Sequence, residues 1–266
     1  MPLRLDRAER VAAPRVTGLL PDLASLTTLL CDADGNLFPS EEPAFEASVT
    51  VTNAFLGELG SGRTYTADRL RREALGRNFR SLASDLATEH GVVLDEASLE
   101  RWVAEEADVV TRHLAECLRP DPATTVALRR LGGRFRLAVV SSSALPRLAA
   151  CFGATGLDPL FPVVDRFSAQ DSLPVPTSKP DPAVYLHALQ RLGVGAEEAL
   201  AVEDAVAGVR SAVAAGIATI GNLVHTPRGE RLDRAAELLA AGAVEVVEDW
   251  EALASLLLPD ENAHRP

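Results

Sequence analysis

The sequence predicts an α/β protein: a parallel β-sheet flanked by helices, with a helical segment inserted after the first strand. Three observations lead to this prediction. Apolar, strand-length runs alternate with helix-length segments beyond residue 120, which is typical of βαβ units. These runs carry few charges, as expected when helices cover both faces of a sheet. Residues 44–119, in contrast, show a helical pattern throughout.

The first predicted strand, residues 27–31, ends in two carboxylates, Asp32 and Asp34, followed by Gly35. In open α/β sheets, ligands bind beyond the carboxyl ends of the strands. Two unit charges about 4 Å apart repel by about 4 kcal/mol at an effective dielectric constant near 20. A hard cation such as Mg²⁺ relieves this repulsion, because it prefers oxygen ligands. Taken alone, the pair fits a solvated strand exit equally well.

The inserted segment begins after Pro39 and Pro43, which break the strand and offer helix caps. The prolines at 120 and 122 mark its end. Helices are predicted within it at residues 44–59, 66–75, 79–89 and 96–117.

Beyond this boundary, strands and helices alternate. Further strands are predicted at residues 137–140, 161–164, 200–202, 217–220 and 244–247. Further helices are predicted at residues 123–131, 145–152, 183–192, 206–215, 231–241 and 250–257. The predicted organisation is an amino-terminal extension (1–22), a core (23–38 and 120–258), an inserted helical domain (39–119) and a carboxyl-terminal tail (259–266).

The composition is that of an ordinary soluble protein, with 47% apolar and 24% charged residues. A net charge of -12 argues against a nucleic-acid partner, since such proteins usually need a basic face. The three cysteines are far apart and form neither a disulfide framework nor a zinc motif, which favours a reducing, cytoplasmic location. No apolar run approaches the roughly 20 residues of a membrane span, and residues 1–20 lack a signal-peptide pattern.

Polar side chains follow several of the predicted strands or lie in the loop between them. Since the carboxyl ends of parallel strands share one edge, we expect these side chains to converge there. Carboxylates suit a divalent cation, whereas hydroxyl and ammonium groups suit phosphate oxygens. The converging residues are Asp32, Asp34, Ser141, Ser142, Lys179, Glu203 and Asp204.

Each of these groups also has an ordinary structural explanation. A serine run after a strand is often a turn or a helix cap. A single lysine before a proline is most often a solvated surface residue. Acidic residues before a helix favour its positive amino terminus. Their combination, in this order and at strand ends, favours a phosphate site.

Four stretches resemble the motifs of the haloacid dehalogenase (HAD) superfamily of aspartate-nucleophile phosphohydrolases. The resemblance covers about residues 26–257, and its most specific part is residues 202–216. The helical insertion is similar to the mobile cap of the subgroup that contains β-phosphoglucomutase and many sugar phosphatases. The matching stretches are Asp32-Ala33-Asp34-Gly35, Ser141, Ser178-Lys179-Pro180-Asp181-Pro182, and Glu203-Asp204.

The resemblance implies a Rossmann-like core and a two-step reaction on a small phosphorylated metabolite. Asp32 attacks phosphorus and forms an aspartyl-phosphate. Asp34 protonates the leaving oxygen and then activates the water that hydrolyses the intermediate. The cap closes over the site and excludes bulk water.

The resemblance also implies a ligand set. Mg²⁺ is expected to bind Asp32, the backbone carbonyl of Asp34 and Asp204, with Glu203 as a further ligand or behind them. The transferring phosphoryl group is expected to be held electrostatically. The residues that would hold it are Ser141, Ser142 and Lys179.

The sequence departs from the family pattern at two positions. Asn36 stands where the family usually has Thr or Val, so we expect altered packing or hydrogen bonding with the chemistry retained. Pro39 stands where many relatives have an acid, which weakens the transfer of cap-side details. In the cap, Arg77 and Arg80 are candidate substrate contacts, although an exposed helical arginine is an equally good interpretation.

Several rival functions use the same fold. The dehalogenase branch usually lacks the second aspartate, and a phosphonatase would need a cap lysine, which residues 39–119 do not contain. A phosphomutase differs mainly in whether water or a second sugar hydroxyl attacks the phosphoaspartate, so it stays an alternative. A non-catalytic phosphate sensor is the alternative from another class. A receiver domain is disfavoured by the chain length and the helical insertion.

Overall fold

The computed structural model describes residues 22–74 and 78–258. Most of the predicted amino-terminal extension, the predicted tail and Arg77 lie outside the described residues. Within the described part of the chain, no helix combines the length and apolar character needed to cross a bilayer.

The core is one six-stranded parallel sheet with the strand order β3-β2-β1-β4-β5-β6, which confirms the predicted α/β fold class. β1 is central, because the chain crosses to one side for β2 and β3 and to the other side for β4 to β6. The strands are β1 (Thr28–Cys31), β2 (Arg136–Ser141), β3 (Arg166–Ser168), β4 (Ala199–Glu203), β5 (Ala218–Asn222) and β6 (Glu245–Val247).

Helices cover both faces of this sheet. Leu29 and Cys31 of β1 point into a cluster that includes Leu253, whereas Leu30 points into the opposite cluster with Ala188. Burial on both faces explains why the middle residues of the strands are mostly apolar. The helices are α1 (Glu41–Glu58), α2 (Ala67–Ala74), α3 (Phe79–Glu89), α4 (Glu96–Cys117), α5 (Pro122–Gly132), α6 (Leu145–Thr155), α7 (Ala183–Leu192), α8 (Val206–Ala214), α9 (Arg231–Ala241) and α10 (Trp250–Leu257).

The third strand lies elsewhere than the sequence predicts. Val163 and Val164, placed in a strand at 161–164, are 73% and 80% exposed and belong to a short 3-10 turn. The strand is Arg166–Ser168, which pairs with β2. Its Arg166 is buried because the guanidinium bonds to the Phe161 carbonyl and the Asp158 carboxylate. A buried ion pair of this kind hides a strand from an apolar pattern.

Helices α1 to α4 build a separate hydrophobic cluster around Phe55 and Trp102, whose rings meet edge to face at 5.5 Å. The same helices also contact the sheet region. Val110 and Leu114 of α4 belong to the cluster of the main core, and an ion pair of 3.9 Å joins Arg71 of α2 to the segment before α9. The helical segment therefore has its own core and also contacts the sheet domain.

Candidate active site

The sheet order brings three of the predicted site segments together. Cys31, which precedes Asp32, lies opposite Val139 of β2 on one side and Val202 of β4 on the other. The exits of β1, β2 and β4 are therefore neighbours at one edge of the sheet. Asp32, Ser141 and Glu203 all lie at these exits, as the strand-end argument predicts.

Lys179 connects the exits of these strands. Its Nζ lies 2.5 Å from Asp32 Oδ1, 2.6 Å from Glu203 Oε1 and 2.7 Å from the Val140 carbonyl oxygen. Burial lowers the pKa of Lys179, but the two carboxylates outweigh this effect and raise it above its ordinary value. Lys179 therefore stays positively charged beside the predicted nucleophile.

The carboxylates at this edge repel one another. Burial first, and then the charge of Glu203, raises the pKa of Asp32 to about 7, although Lys179 acts in the opposite direction. Burial and repulsion from Asp32 and Glu203 also raise the pKa of Asp204 well above its ordinary value. The cluster thus holds more negative charge than Lys179 alone neutralises, so it favours either protons or a further cation.

The donor set fits a divalent cation. Asp32, Glu203 and Asp204 each offer an oxygen atom, and these atoms lie within 4.8 Å of one another. The carboxylates of Asp204 and Glu203 occupy space that is free only because the neighbouring residues are glycines. A Cβ on Gly35 would lie 2.2 Å from Asp204 Oδ2, and a Cβ on Gly208 would lie 1.7 Å from Glu203 Oε2. An all-oxygen set of this kind suits a hard ion better than a soft one.

The carboxylate of Asp34 is held by different partners. Ser143 Oγ donates to Oδ2 at 2.6 Å, Arg147 Nη2 donates to Oδ1 at 2.9 Å, and Ser40 Oγ also donates to Oδ1. Burial raises the pKa of Asp34, but Arg147 and the two hydroxyls outweigh it and hold the pKa below its usual value. Asp34 is therefore ionised in this arrangement.

Sequence reasoning missed these three partners of Asp34. Ser143 belongs to the predicted serine run, and Arg147 lies in the first turn of α6, directly after it. A basic residue at the start of a helix, where a cation is unfavourable, was the available signal. Ser40, which directly precedes α1, carried no signal beyond its position near Pro39.

Tyr185 of α7 was also missed. Its hydroxyl donates to Glu203 Oε1, and its ring centroid lies 5.3 Å from Lys179 Nζ. Because Tyr185 is fully buried, its position is fixed by packing, and it fixes Glu203 and Lys179 in turn. A tyrosine on an apolar helix face gives no sequence sign of such a role.

The serines predicted to bind phosphate shape the loop after β2. Ser141 Oγ accepts from the Ser143 amide at 3.0 Å, and Ser142 Oγ accepts from the Lys179 amide at 3.1 Å. Ser142 thus contacts the backbone of Lys179, and the contact of both serines with phosphate stays a prediction. Arg80 forms exposed ion pairs with Glu96 and Glu100 of α4, so nothing in its contacts supports a substrate role.

A parallel sheet with carboxylates and a charged lysine gathered at its central strand exits defines an α/β protein with a site suited to phosphate chemistry. The comparisons with known proteins specify it further. A family model described as haloacid dehalogenase-like hydrolase matches residues 26–216. The chain belongs to this haloacid dehalogenase-like hydrolase family.

Its relatives include proteins with named activities. It is 31% identical to a phosphorylated carbohydrates phosphatase of Thermotoga maritima, over 86% of this chain and 97% of that protein. It is 27% identical to a 6-phosphogluconate phosphatase of Escherichia coli, over 73% and 81% of the two chains. A solved structure of a CbbY variant from Rhodobacter sphaeroides with xylulose-(1,5)-bisphosphate matches with a TM-score of 0.63 at 25% identity, covering 86% and 96%.

Proposed function

We propose that this protein is a Mg²⁺-dependent phosphatase that hydrolyses a small phosphomonoester, a sugar phosphate or a similar metabolite, through an aspartyl-phosphate on Asp32. One observation carries the proposal: Lys179 pairs with Asp32 at the strand edge where Glu203 and Asp204 also lie. The activities named for the Thermotoga maritima and Escherichia coli relatives support the substrate class.

In the first step, a carboxylate oxygen of Asp32 attacks phosphorus while the bond to the leaving oxygen breaks. Lys179 contributes a fixed positive charge beside the transferring group, and such electrostatic positioning supplies most of the catalysis in phosphoryl transfer. Asp32, Asp204 and Glu203, with the Asp34 carbonyl, would hold Mg²⁺. When bound, this ion would neutralise charge that builds up on the phosphoryl oxygens.

Asp34 acts as the general acid in the first step and as the general base in the second. It gives a proton to the leaving oxygen in the first step and takes one from the attacking water in the second. The pair with Arg147 favours the ionised form of Asp34, which suits the second step. Protonation for the first step requires this pair to loosen as substrate binds.

We further propose that residues 39–119 act as a cap over this edge. The contacts that support this are Ser40 on Asp34, immediately before α1, and the Arg71–Glu230 ion pair. Helical segments that close over a site exclude bulk water from the reaction.

A panel of phosphorylated metabolites tests the proposed function. Each compound is assayed with Mg²⁺ and with EDTA, and both phosphate release and isomerised sugar phosphate are measured. Release with Mg²⁺ supports the phosphatase. Isomerisation without net release would assign a phosphomutase instead. A folded protein that does neither on the whole panel would favour a phosphate sensor.

Mg²⁺ is expected to stabilise the protein more at pH 8 than at pH 6. The folded-state pKa values of Asp32, about 7, and Asp204 are raised. The metal-free protein therefore loses stability as pH rises from the ordinary aspartate pKa near 4 towards 7. Mg²⁺ must displace these protons, so it binds better once they have left. At a hundredfold excess over Kd, the gain is about 2.7 kcal/mol.

Thermal unfolding with Mg²⁺ or EDTA at the two pH values measures this effect. An Asp204→Asn variant serves as the control and should lose most of the Mg²⁺ shift. Equal Mg²⁺ shifts at pH 6 and pH 8, or no shift in the wild type, would contradict the assignment of the cluster as the metal site.

Replacing Arg147 with Met is expected to move the acidic limb of the kcat–pH profile to higher pH. The Arg147 charge lowers the pKa of Asp34, so its removal raises that pKa. The profile is measured with p-nitrophenyl phosphate, whose leaving oxygen needs little protonation, so that hydrolysis of the intermediate limits turnover. This step needs ionised Asp34, and the ionised form then requires a higher pH. Arg136→Met, which breaks the Arg136–Asp165 pair at the amino end of β2, is the matched control. An unmoved limb in Arg147→Met would contradict the role given to the pair.

A further inference from the structure

Asn36, the departure from the family pattern, is a fully buried residue whose side-chain amide is completely bonded. Its Nδ2 donates to the Asp32 carbonyl at 3.0 Å and to the Val202 carbonyl at 2.9 Å. Its Oδ1 accepts from Asn222 Nδ2 at 2.9 Å. A buried amide with both hydrogens and its oxygen satisfied has one preferred orientation.

The two carbonyls that Asn36 joins belong to different strands. Asp32 is the proposed nucleophile at the exit of β1, and Val202 directly precedes Glu203 and Asp204 at the exit of β4. The β1–β4 register ends at Cys31 opposite Val202, and the Asp32 amide then donates to the Val202 carbonyl at 3.0 Å. The Asn36 amide adds a second link at this point, where the strands carry their acidic residues.

Two further elements fix Asn36 itself. Asn222 ends β5, and its own Oδ1 accepts from the Val224 amide at 3.2 Å. Trp250 at the start of α10 donates from Nε1 to the Asn36 carbonyl at 3.0 Å. Both side chains are buried, so the amide that links β1 to β4 is anchored from β5 and from α10.

The charges at this edge explain why such a link is needed. Asp32 on one strand and Glu203 and Asp204 on the other hold carboxylate oxygens within 4.8 Å. Without a cation these groups repel, and the repulsion acts to separate the exits of β1 and β4. Lys179 reduces this repulsion only between Asp32 and Glu203, with which it forms ion pairs. The Asn36 amide opposes the separation of the strand exits through its hydrogen bonds to the backbone carbonyls of Asp32 and Val202.

We propose that Asn36 is a positioning residue that holds the exits of β1 and β4 at the spacing a divalent cation needs between Asp32 and the Glu203–Asp204 pair. The proposal rests on the proposed function, since it presupposes that these carboxylates bind the ion. Residues that orient metal ligands from behind typically contribute 10- to 100-fold to metal affinity, so a loss of about tenfold is expected on removing the amide.

Mn²⁺ binding to the full chain tests this without reference to turnover. The Kd for Mn²⁺ is measured by electron paramagnetic resonance, and the Tm is measured in EDTA, for the wild type and for Asn36→Leu. Leu has a similar size but no donor or acceptor. Leu86→Ala, in the separate hydrophobic cluster of helices α1 to α4, is the matched control, because it lowers the Tm by creating a cavity away from Asn36 and from the elements that anchor it.

The expected result is a Kd for Mn²⁺ raised about tenfold in Asn36→Leu and unchanged within about twofold in Leu86→Ala. If Asn36→Leu does not fold, Asn222→Leu carries the test, with a rise of about threefold, since it removes the support and leaves the amide. If the folded variant, Asn36→Leu or Asn222→Leu, binds Mn²⁺ with the same Kd as the wild type although its Tm is lower, the positioning role is overturned. Absence of Mn²⁺ binding in the wild type would instead overturn the proposed metal site.

Discussion

Asp32→Asn is expected to abolish phosphate release, with a loss of about 10⁴-fold or more, as usual when a covalent nucleophile is removed. Asn has the size of Asp but lacks the anionic oxygen that attacks phosphorus. The variant also lowers the repulsion that raises the pKa of Asp204. Lys179 keeps Glu203 and the Val140 carbonyl as partners, so the fold is expected to persist.

Initial rates with the best substrate of the metabolite panel, together with the Tm in EDTA, measure both effects. Asp165→Asn is the matched control, because Asp165 pairs with Arg136 at the amino end of β2, and its activity should stay near that of the wild type. Turnover that persists in a folded Asp32→Asn protein would refute the nucleophile assignment.

Asp34→Asn is expected to reduce turnover by about 10² to 10⁴, the range that general acid–base catalysis usually contributes. The amide neither donates a proton to the leaving oxygen nor takes one from water. Because the second step loses its base, the aspartyl-phosphate should accumulate. Its ion pair with Arg147 is lost. Ser40 and Ser143 donate to different oxygens of Asp34, so only one of these hydroxyls keeps its acceptor in the amide oxygen.

The choice of leaving group separates the two roles of Asp34. With p-nitrophenyl phosphate the leaving oxygen needs little protonation, so the first step should stay fast in Asp34→Asn. A burst of nitrophenol stoichiometric with enzyme, followed by slow turnover, is the expected course. Turnover in Asp34→Asn equal to the wild type on alkyl and aryl substrates alike would contradict the acid–base role.

The sequence predicted the fold class and the meeting of distant residues, because both follow from local patterns. Alternating apolar runs indicate a parallel sheet, and parallel strands deliver their carboxyl ends to one edge. Asp32, Lys179, Glu203 and Asp204 could therefore be expected together, and the structure brings them together. The family follows from the same motifs and is confirmed by the family model.

What the sequence could not predict depends on the particular partners of individual side chains. β3 carries a buried arginine, whose place in a strand becomes intelligible only through Asp158 and the Phe161 carbonyl. The ionised state of Asp34 depends on Arg147, which is 113 residues away. Asn36 could be expected to change hydrogen bonding, but not to join the exits of two strands. The periodic pattern of apolar residues along the sequence gives no information about such pairings.

The central claim is that Asp32 becomes phosphorylated during turnover, and the covalent state of this residue tests it most directly. Asp34→Asn and wild-type protein are mixed with p-nitrophenyl phosphate and Mg²⁺, quenched in acid and digested, and the peptides are analysed by mass spectrometry. The account predicts one added phosphoryl group on Asp32, at higher occupancy in Asp34→Asn than in the wild type. Phosphate release without any phosphorylated Asp32 peptide, or with the phosphoryl group on another residue, would contradict it.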